Sequence, residues 1–198
     1  MLKWTPNLGY NRAVLANLPR ETGTAMSQSL AELRQDYSLS ILTKANVDPD
    51  PIRQFQRWMQ EAIAAQLPEP NAMTLATADR TGRPYARVVL LKACDADGFV
   101  FFTHYRSDKG RQIAENPYIA LVFLWLEVER QVRIEGTVSQ IPAAESETYF
   151  RSRPRESRWG ALASRQSQVV ASRQILDQRF EQLAAHLAEG VARVQHDD

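Results

Sequence analysis

The stretch Tyr85-Ala-Arg-Val-Val-Leu-Leu-Lys-Ala93 carries the strongest structural signal in the chain, because four consecutive apolar residues lie between two cations. Its paired valines favour a β-strand. An apolar run without polar alternation is typical of a strand covered on both faces, at the centre of a sheet or at an interface. Turn signals at Arg80-Thr-Gly82 and Asp95-Ala-Asp-Gly98 bound the run and predict a strand over 85–93.

Further β-rich runs accompany this strand on both sides. They cover 72–78, 98–103, 119–126 and 131–140, with turn signals between them. One short helix, at about 108–115, is predicted within the series. Five strands with mostly short connections favour an antiparallel barrel or sandwich. The predicted class is therefore α+β, mainly β, built on a small antiparallel barrel with flanking helices.

Helices are predicted before and after the strands. Asp50 followed by Pro51 fits an N-cap and first helical position, and apolar residues then recur at three and four until about Gln66. The segments 143–152 and 168–189 also have helical patterns, and a short polar helix is predicted at 29–37. The polar, basic segment between the two C-terminal helices is interpreted as a turn.

The length of 198 residues fits one domain with tails. We expect a disordered extension over 1–25, which only faintly resembles a transit peptide, a folded domain over 26–190, and a short atypical tail over 191–198. The net charge of +1 gives no general attraction to nucleic acid or anionic membrane. No apolar run reaches the length of a membrane helix. Cys94 is the single cysteine and the three histidines lack zinc-ligand spacing, so we expect a reducing cytoplasm and no metal.

Cations, hydroxyls and amides lie on the predicted strands, at their ends, or just before a predicted helix. They are Arg87, Lys92, Thr103, Ser107, Lys109, Gln131, Gln166 and Ser167. Each one alone is best interpreted as a surface charge or a cap. Together they supply charge for a phosphate and hydrogen bonds for an amide-edged heterocycle. No motif for an acid–base pair or a nucleophile is present, so no catalytic residue is assigned.

A second polar cluster consists of Tyr149, Arg153 and Ser157, with further arginines interleaved. A solvated basic turn is one interpretation, and an RNA-binding patch is another. Glu127, Glu129 and the neutral overall charge weigh against RNA. A small phosphate ester is a third interpretation, since one tyrosine, one arginine and one serine hydroxyl would hold it well.

Five sequence motifs follow one another along the chain. They are Pro70-Asn-Ala-Met-Thr-Leu-Ala-Thr77, Arg87-Val-Val-Leu-Leu-Lys92, Glu129-Arg-Gln-Val132, Tyr149-Phe-Arg-Ser-Arg-Pro-Arg155 and Ser164-Arg-Gln-Ser167. This order resembles the pyridoxamine 5′-phosphate oxidase family from about Leu33 to Gly190. The resemblance implies an FMN-binding split barrel, a homodimer with flavin sites at the subunit interface, and a role in vitamin B6 metabolism. The implied reaction oxidises pyridoxine or pyridoxamine 5′-phosphate to pyridoxal 5′-phosphate, with O₂ as acceptor and hydrogen peroxide as product.

The resemblance also implies roles for individual residues. The implied FMN contacts are Arg87, Val88, Val89, Leu90, Leu91, Lys92, Phe102, Thr103, Ser107, Lys109, Gln131, Gln166 and Ser167. The implied substrate contacts are Lys92, Tyr149, Arg153 and Ser157. Arg34 and Tyr37 match an N-terminal element that folds over the substrate.

The chain departs from the family pattern in three places. Phe102 stands where tyrosine is frequent, and Asp108 stands where an arginine commonly assists the FMN phosphate. The residues after Gly190 do not match the family's closing segment, so we expect FMN binding with reduced or absent turnover. Two alternatives stay open: a non-catalytic FMN- or pyridoxal-phosphate-binding protein, and a split-barrel reductase, which the Tyr149, Arg153 and Ser157 set disfavours.

Overall fold

A computed structural model describes residues 33, 36–39 and 41–188 of the chain. The chain divides into two units, Met1–Ser38 and Leu39–Asp198, and every described helix and strand lies in the second. The expected extension over 1–25 and the tail over 191–198 lie outside the described residues. Most of the helix predicted at 29–37 does so too, and its last two residues are not helical.

Helix α1 (Pro51–Ala64) begins where the Asp50-Pro51 pair predicts it. The Asp50 carboxylate accepts hydrogen bonds from the backbone N–H groups of Ile52 at 2.9 Å and Arg53 at 3.4 Å. An N-cap of this kind satisfies donors that the first helical turn leaves unpaired. The helix buries Phe55 against the sheet and is preceded by a 3₁₀ turn, Lys44–Asn46.

Six strands and one helix follow α1 in chain order. They are β1 (Ala72–Ala78), β2 (Pro84–Leu90), β3 (Ala93–Asp95), β4 (Gly98–Val100), α2 (Asp108–Glu115), β5 (Tyr118–Trp125) and β6 (Arg130–Thr137). The four longer strands form one antiparallel sheet in the order β2-β1-β5-β6, and β3 pairs with β4 in a separate hairpin. A 3₁₀ turn, Leu126–Val128, joins β5 to β6.

The predicted strand over 85–93 is two strands, because the chain leaves the sheet at Leu91 and Lys92. The backbone N–H of Leu91 donates to the carbonyl of Asn71 at 2.9 Å, and that of Lys92 donates to the carbonyl of Val100 at 2.8 Å. These two bonds link the sheet to the hairpin. Within this chain β2 is an edge strand, not a central one, and Val88 is 67% exposed.

The core lies between α1, the inner face of the sheet and the hairpin. Burial alternates along β1, so Met73 and Leu75 point inward. The Phe55 ring packs edge-on against Phe99 with centroids 4.9 Å apart and lies 5.0 Å from the Phe123 centroid. Aromatic pairs in such tilted arrangements add to the stabilisation gained from burial.

Three helices complete the described part of the chain: α3 (Ala143–Ser152), α4 (Arg155–Ala163) and α5 (Arg173–Ala188). Helix α3 agrees with the prediction. Helix α4 replaces much of the predicted basic turn, and α5 begins at Arg173 instead of 168. Trp159 of α4 packs edge-on against Phe180 of α5, with ring centroids 5.8 Å apart. This contact favours a helix where the local sequence is polar.

Among the helices that the structure describes, none combines the length and apolar character needed to cross a membrane. Residues 33, 36–39 and 41–188 also hold no group of three His, Cys, Asp or Glu side chains suited to a metal ion.

Candidate functional site

Arg87 lies on β2 with its guanidinium held by three groups on neighbouring elements. Its Nη1 donates to the carbonyl of Leu75 at 3.1 Å and to Oγ1 of Thr77 at 2.7 Å. Its Nη2 donates to Oε1 of Gln112 at 2.8 Å. Thr77 and Gln112 are both buried, so the guanidinium is fixed from the side of the core.

The N-terminus of α2 lies beside Arg87 and presents Lys109. Ser107 caps the helix and is fully buried: its Oγ donates to the carbonyl of His104 at 2.6 Å and accepts from the N–H of Gly110 at 3.3 Å. The Lys109 Nζ donates to Oε1 of Gln166 at 2.9 Å. This bond joins α2 to the turn that precedes α5, where Ser167 has a left-handed backbone with φ of 68°.

These residues surround a small cavity of about 270 Å³. Arg87, Lys109, Gln166 and Ser167 line it, although they span some 80 positions of the sequence. A half-buried cavity with two cations and amide and hydroxyl groups can bind a phosphate through charge-assisted hydrogen bonds.

The two cations are held close together in a partly desolvated place. Burial lowers the pKa of Arg87, and burial followed by repulsion from Arg87 lowers the pKa of Lys109, while the Asp108 carboxylate acts in the opposite direction. Asp108 also lines the small cavity and forms an ion pair with Arg111 one turn along the helix. A bound anion would relieve the repulsion between the two cations.

A large cavity of about 1650 Å³ adjoins the small one, and Lys109 and Gln166 line both. Nine more of the predicted site residues line it: Val88, Val89, Leu90, Lys92, Phe102, Thr103, Tyr149, Arg153 and Ser157. The Oγ1 atom of Thr103 is buried without a hydrogen-bond partner. Both predicted clusters, one for a cofactor and one for a phosphate ester, therefore face a continuous space.

Helices α3 and α4 bring the second cluster to this cavity. The Tyr149 ring stacks on Phe102 with centroids 3.6 Å apart and planes 6° from parallel. Arg153 is the C-cap residue of α3, and Ser157 lies in the first turn of α4. The His104 ring ties α4 to the strand side of the cavity, because its Nε2–H donates to the carbonyl of Ala161 at 2.9 Å.

Other predicted site residues are not brought to the cavities. Leu91 is only 7% exposed within the core, and the Ser107 hydroxyl is occupied by the helix cap. Gln131 lies exposed on β6, at the opposite edge of the sheet from Arg87. Arg34 lies outside the described residues, and Tyr37 belongs to the unit Met1–Ser38.

Sequence reasoning missed two residues of the site, Thr77 and Gln112. Thr77 follows Met73 and Leu75 on the inward face of β1, so a polar residue in an apolar alternation was the available signal. Gln112 lies four residues after Asp108 on α2, which places the two on one face of the helix.

Comparison with known proteins gives consistent results. The family model described as Pyridoxamine 5′-phosphate oxidase matches residues 59–187. A pyridoxine/pyridoxamine 5′-phosphate oxidase of Trichormus variabilis is 55% identical over 157 residues, which are 79% of this chain and 73% of that protein. The enzyme of the same name from Thermosynechococcus vestitus is 56% identical over 167 residues, 84% of this chain and 79% of that protein.

Solved structures share the fold. PhzG of Burkholderia lata, in complex with tetrahydrophenazine-1-carboxylic acid, has a TM-score of 0.72 at 30% identity, covering 79% of this chain and 77% of PhzG. A pyridoxamine 5′-phosphate oxidase-related, FMN-binding protein of Nostoc punctiforme has a TM-score of 0.50 at 16% identity, over 66% of this chain and 73% of its own, a likeness of fold. The predicted α+β class with an antiparallel split-barrel fold is confirmed. The chain belongs to the pyridoxamine 5′-phosphate oxidase family.

Proposed function

We propose that this protein is an FMN-dependent oxidase that converts pyridoxine or pyridoxamine 5′-phosphate to pyridoxal 5′-phosphate with O₂ as acceptor. One observation carries the proposal. The small cavity and the large cavity adjoin, and Lys109 and Gln166 line both. Each cavity carries its own set of side chains suited to bind an anion. A phosphorylated cofactor beside a phosphorylated substrate needs this arrangement.

The residues of the small cavity fit the phosphate of FMN. Arg87 and Lys109 repel each other across a partly buried space, and a phosphate between them would stabilise both charges. The large cavity, which Val88, Val89 and Leu90 line, would hold the isoalloxazine ring, and the unpaired Thr103 hydroxyl would offer it a polar contact.

The protein's own residues bind and orient. FMN, when bound, would supply the redox chemistry, as the acceptor of a hydride from the substrate and the donor of electrons to O₂. Arg153 and Ser157 would hold the substrate phosphate, and Lys92, which lines the same cavity, would contact both ligands. The Phe102 stack would keep the Tyr149 hydroxyl directed at that phosphate. Positioning of this kind contributes to the rate by holding reacting atoms in line.

A homodimer is part of the proposal. The outward face of the sheet exposes apolar side chains: Val88 is 67%, Tyr118 is 70% and Leu124 is 56% exposed. Such a face is suited to a partner surface. A second copy would also bring its own Gln131 to the flavin, which accounts for the position of Gln131 far from Arg87 within one chain. Size-exclusion chromatography with light scattering tests the dimer.

Flavin spectroscopy tests the function. The purified protein, mixed with FMN, should quench flavin fluorescence, and anaerobic addition of pyridoxine 5′-phosphate should then bleach the flavin absorption. Bleaching separates the oxidase from a non-catalytic binder of FMN or pyridoxal phosphate, which would keep its flavin oxidised. A protein that gains no flavin bands would contradict both functions.

The likeness to PhzG supports a second candidate, oxidation of a ring substrate that carries a carboxylate in place of a phosphate. The paired N–H donors of Arg153 would bind either a phosphate or a carboxylate. Comparing pyridoxine 5′-phosphate with tetrahydrophenazine-1-carboxylic acid under the same anaerobic conditions separates the two. The present proposal requires that only the phosphate ester bleaches the flavin efficiently.

A further inference from the structure

A closed triangle of hydrogen bonds connects Arg87, Thr77 and Gln112 beneath the small cavity. Nη1 of Arg87 donates to the Thr77 hydroxyl at 2.7 Å, and that hydroxyl donates to Oε1 of Gln112 at 2.7 Å. Oε1 also accepts from Nη2 of Arg87 at 2.8 Å, which closes the triangle. Thr77 is 4% and Gln112 is 8% exposed, so bulk water does not compete for these bonds.

The triangle fixes the orientation of the Gln112 carboxamide. A guanidinium has only donors, so the group facing it must be the carboxamide oxygen and not the NH₂ group. Gln112 also lines the small cavity, and none of the described residues accepts a hydrogen bond from its Nε2. The triangle therefore uses the carboxamide oxygen of Gln112 and leaves its NH₂ group unpaired within the described residues.

The guanidinium retains free donors after these contacts. Of its five N–H groups, two on Nη1 and one on Nη2 are engaged by Leu75, Thr77 and Gln112. The remaining two, on Nε and Nη2, form one edge of the planar group, the edge that can hold a phosphate in a bidentate manner. Because the opposite edge is held, this edge has little freedom to turn away.

We propose that Gln112 is a positioning residue of the anion site: together with Thr77 it orients the Arg87 guanidinium toward the phosphate of the cofactor. The inference rests on the proposed function, since the anion is taken to be the FMN phosphate. The inference predicts that Gln112 contributes to binding of the phosphate group and not to binding of the flavin ring.

The test measures the dissociation constants of FMN and riboflavin by fluorescence quenching, since riboflavin lacks the phosphate. Gln112→Met should weaken FMN binding about tenfold, because hydrogen bonds to a charged group contribute at that level. Riboflavin binding should change less than about twofold. Thr77→Val should act in the same direction, while the conservative Thr77→Ser should retain wild-type FMN affinity.

A double-mutant cycle separates positioning from packing. If Gln112 acts through Arg87, then Gln112→Met should have no further effect on FMN affinity in an Arg87→Met background. Additive losses, or equal losses of FMN and riboflavin affinity, would overturn the inference, because Gln112 would then act independently or only structurally. Thermal melting followed by circular dichroism identifies a variant that does not fold. If Gln112→Met does not fold, the FMN affinities of Thr77→Val and Thr77→Ser test the inference instead. If the wild-type protein binds FMN and riboflavin with equal affinity, the inference about Gln112 is overturned alone. If it binds neither flavin, the proposed function is overturned as well.

Discussion

Replacing Asp108 by asparagine should improve FMN binding and at the same time reduce stability. The Asp108 carboxylate lines the small cavity together with Arg87 and Lys109, so it opposes a bound phosphate. In the free protein the same carboxylate stabilises the folded state, because it lies in the first turn of α2 and pairs with Arg111. One substitution thus changes two measured quantities in opposite directions.

The size of the effect follows from charge, distance and exposure. If the carboxylate and a phosphate in the small cavity are taken as two unit charges about 7 Å apart, with an effective dielectric constant of about 40, they interact by about 1.2 kcal/mol. The Asp108 side chain is 54% exposed and is partly neutralised by Arg111, which reduces the interaction to about 0.7 kcal/mol, or about threefold in affinity. The loss of helix-terminal charge and of an exposed ion pair should lower the free energy of unfolding by about 0.5 kcal/mol.

The assay is a fluorescence titration of FMN and riboflavin at low and at high salt. Asp108→Asn should tighten FMN binding about threefold at low salt, less at 0.5 M salt because of screening, and leave riboflavin unchanged. Glu115→Gln, which removes the same charge at the far end of α2, should affect neither flavin. Weaker FMN binding in Asp108→Asn, or an equal gain for riboflavin, would show that Asp108 does not act on the phosphate through its charge.

Three further predictions concern the cofactor site, the substrate site and the core. Lys109→Ala should raise the dissociation constant of FMN about tenfold. Because burial and the neighbouring Arg87 guanidinium lower the pKa of Lys109, the FMN affinity of the wild-type protein should also fall as the pH rises toward 10.5. The variant should not show this loss of affinity at high pH. Arg153→Ala should raise KM for pyridoxine 5′-phosphate about tenfold while flavin content stays at the wild-type level, and loss of flavin would assign Arg153 to the cofactor instead. Arg151→Ala is the matched control, since Arg151 is exposed and does not itself line the cavity. Phe123→Ala should reduce the free energy of unfolding, measured in urea, by about 3–5 kcal/mol, because Phe123 is fully buried; a loss below about 1 kcal/mol would contradict the assignment of the core.

Element boundaries could be predicted where local signals determine them. Strand β1 runs over Ala72–Ala78 as predicted, since it alternates between buried and half-buried positions. Helix α2 runs over Asp108–Glu115 because Ser107 caps its start and Asn116-Pro117 ends it. Helix α4 could not be predicted from its polar sequence, because the contact that favours it, between Trp159 and Phe180, joins residues far apart in the chain.

The candidate site shows the same division. Charged residues such as Arg87 and Lys109 are conspicuous between apolar runs, so their residue types, together with the family resemblance, predict a shared anion site. The only local signal for this pair is the polar Thr77 in the apolar alternation of β1, because the hydrogen bond between Thr77 and Gln112 spans 35 positions of the chain and exists only after β1 and α2 pack together. Gln131 lies on β6, at the opposite edge of the sheet from Arg87, so only the proposed second copy would bring it to the flavin.

The two hydrogen bonds that join the strand side of the cavity to the C-terminal helices have a consequence for folding. The bond from His104 to Ala161 and the bond from Lys109 to Gln166 each span 57 positions. Contacts of such sequence separation form late, after the loops between them have lost their conformational freedom. We therefore expect the contacts between the two walls of the cavity to open more readily than the central sheet. A ligand that lies across both walls would add a further connection there, so we expect its affinity to appear as protection of the C-terminal helices from proteolysis and hydrogen exchange.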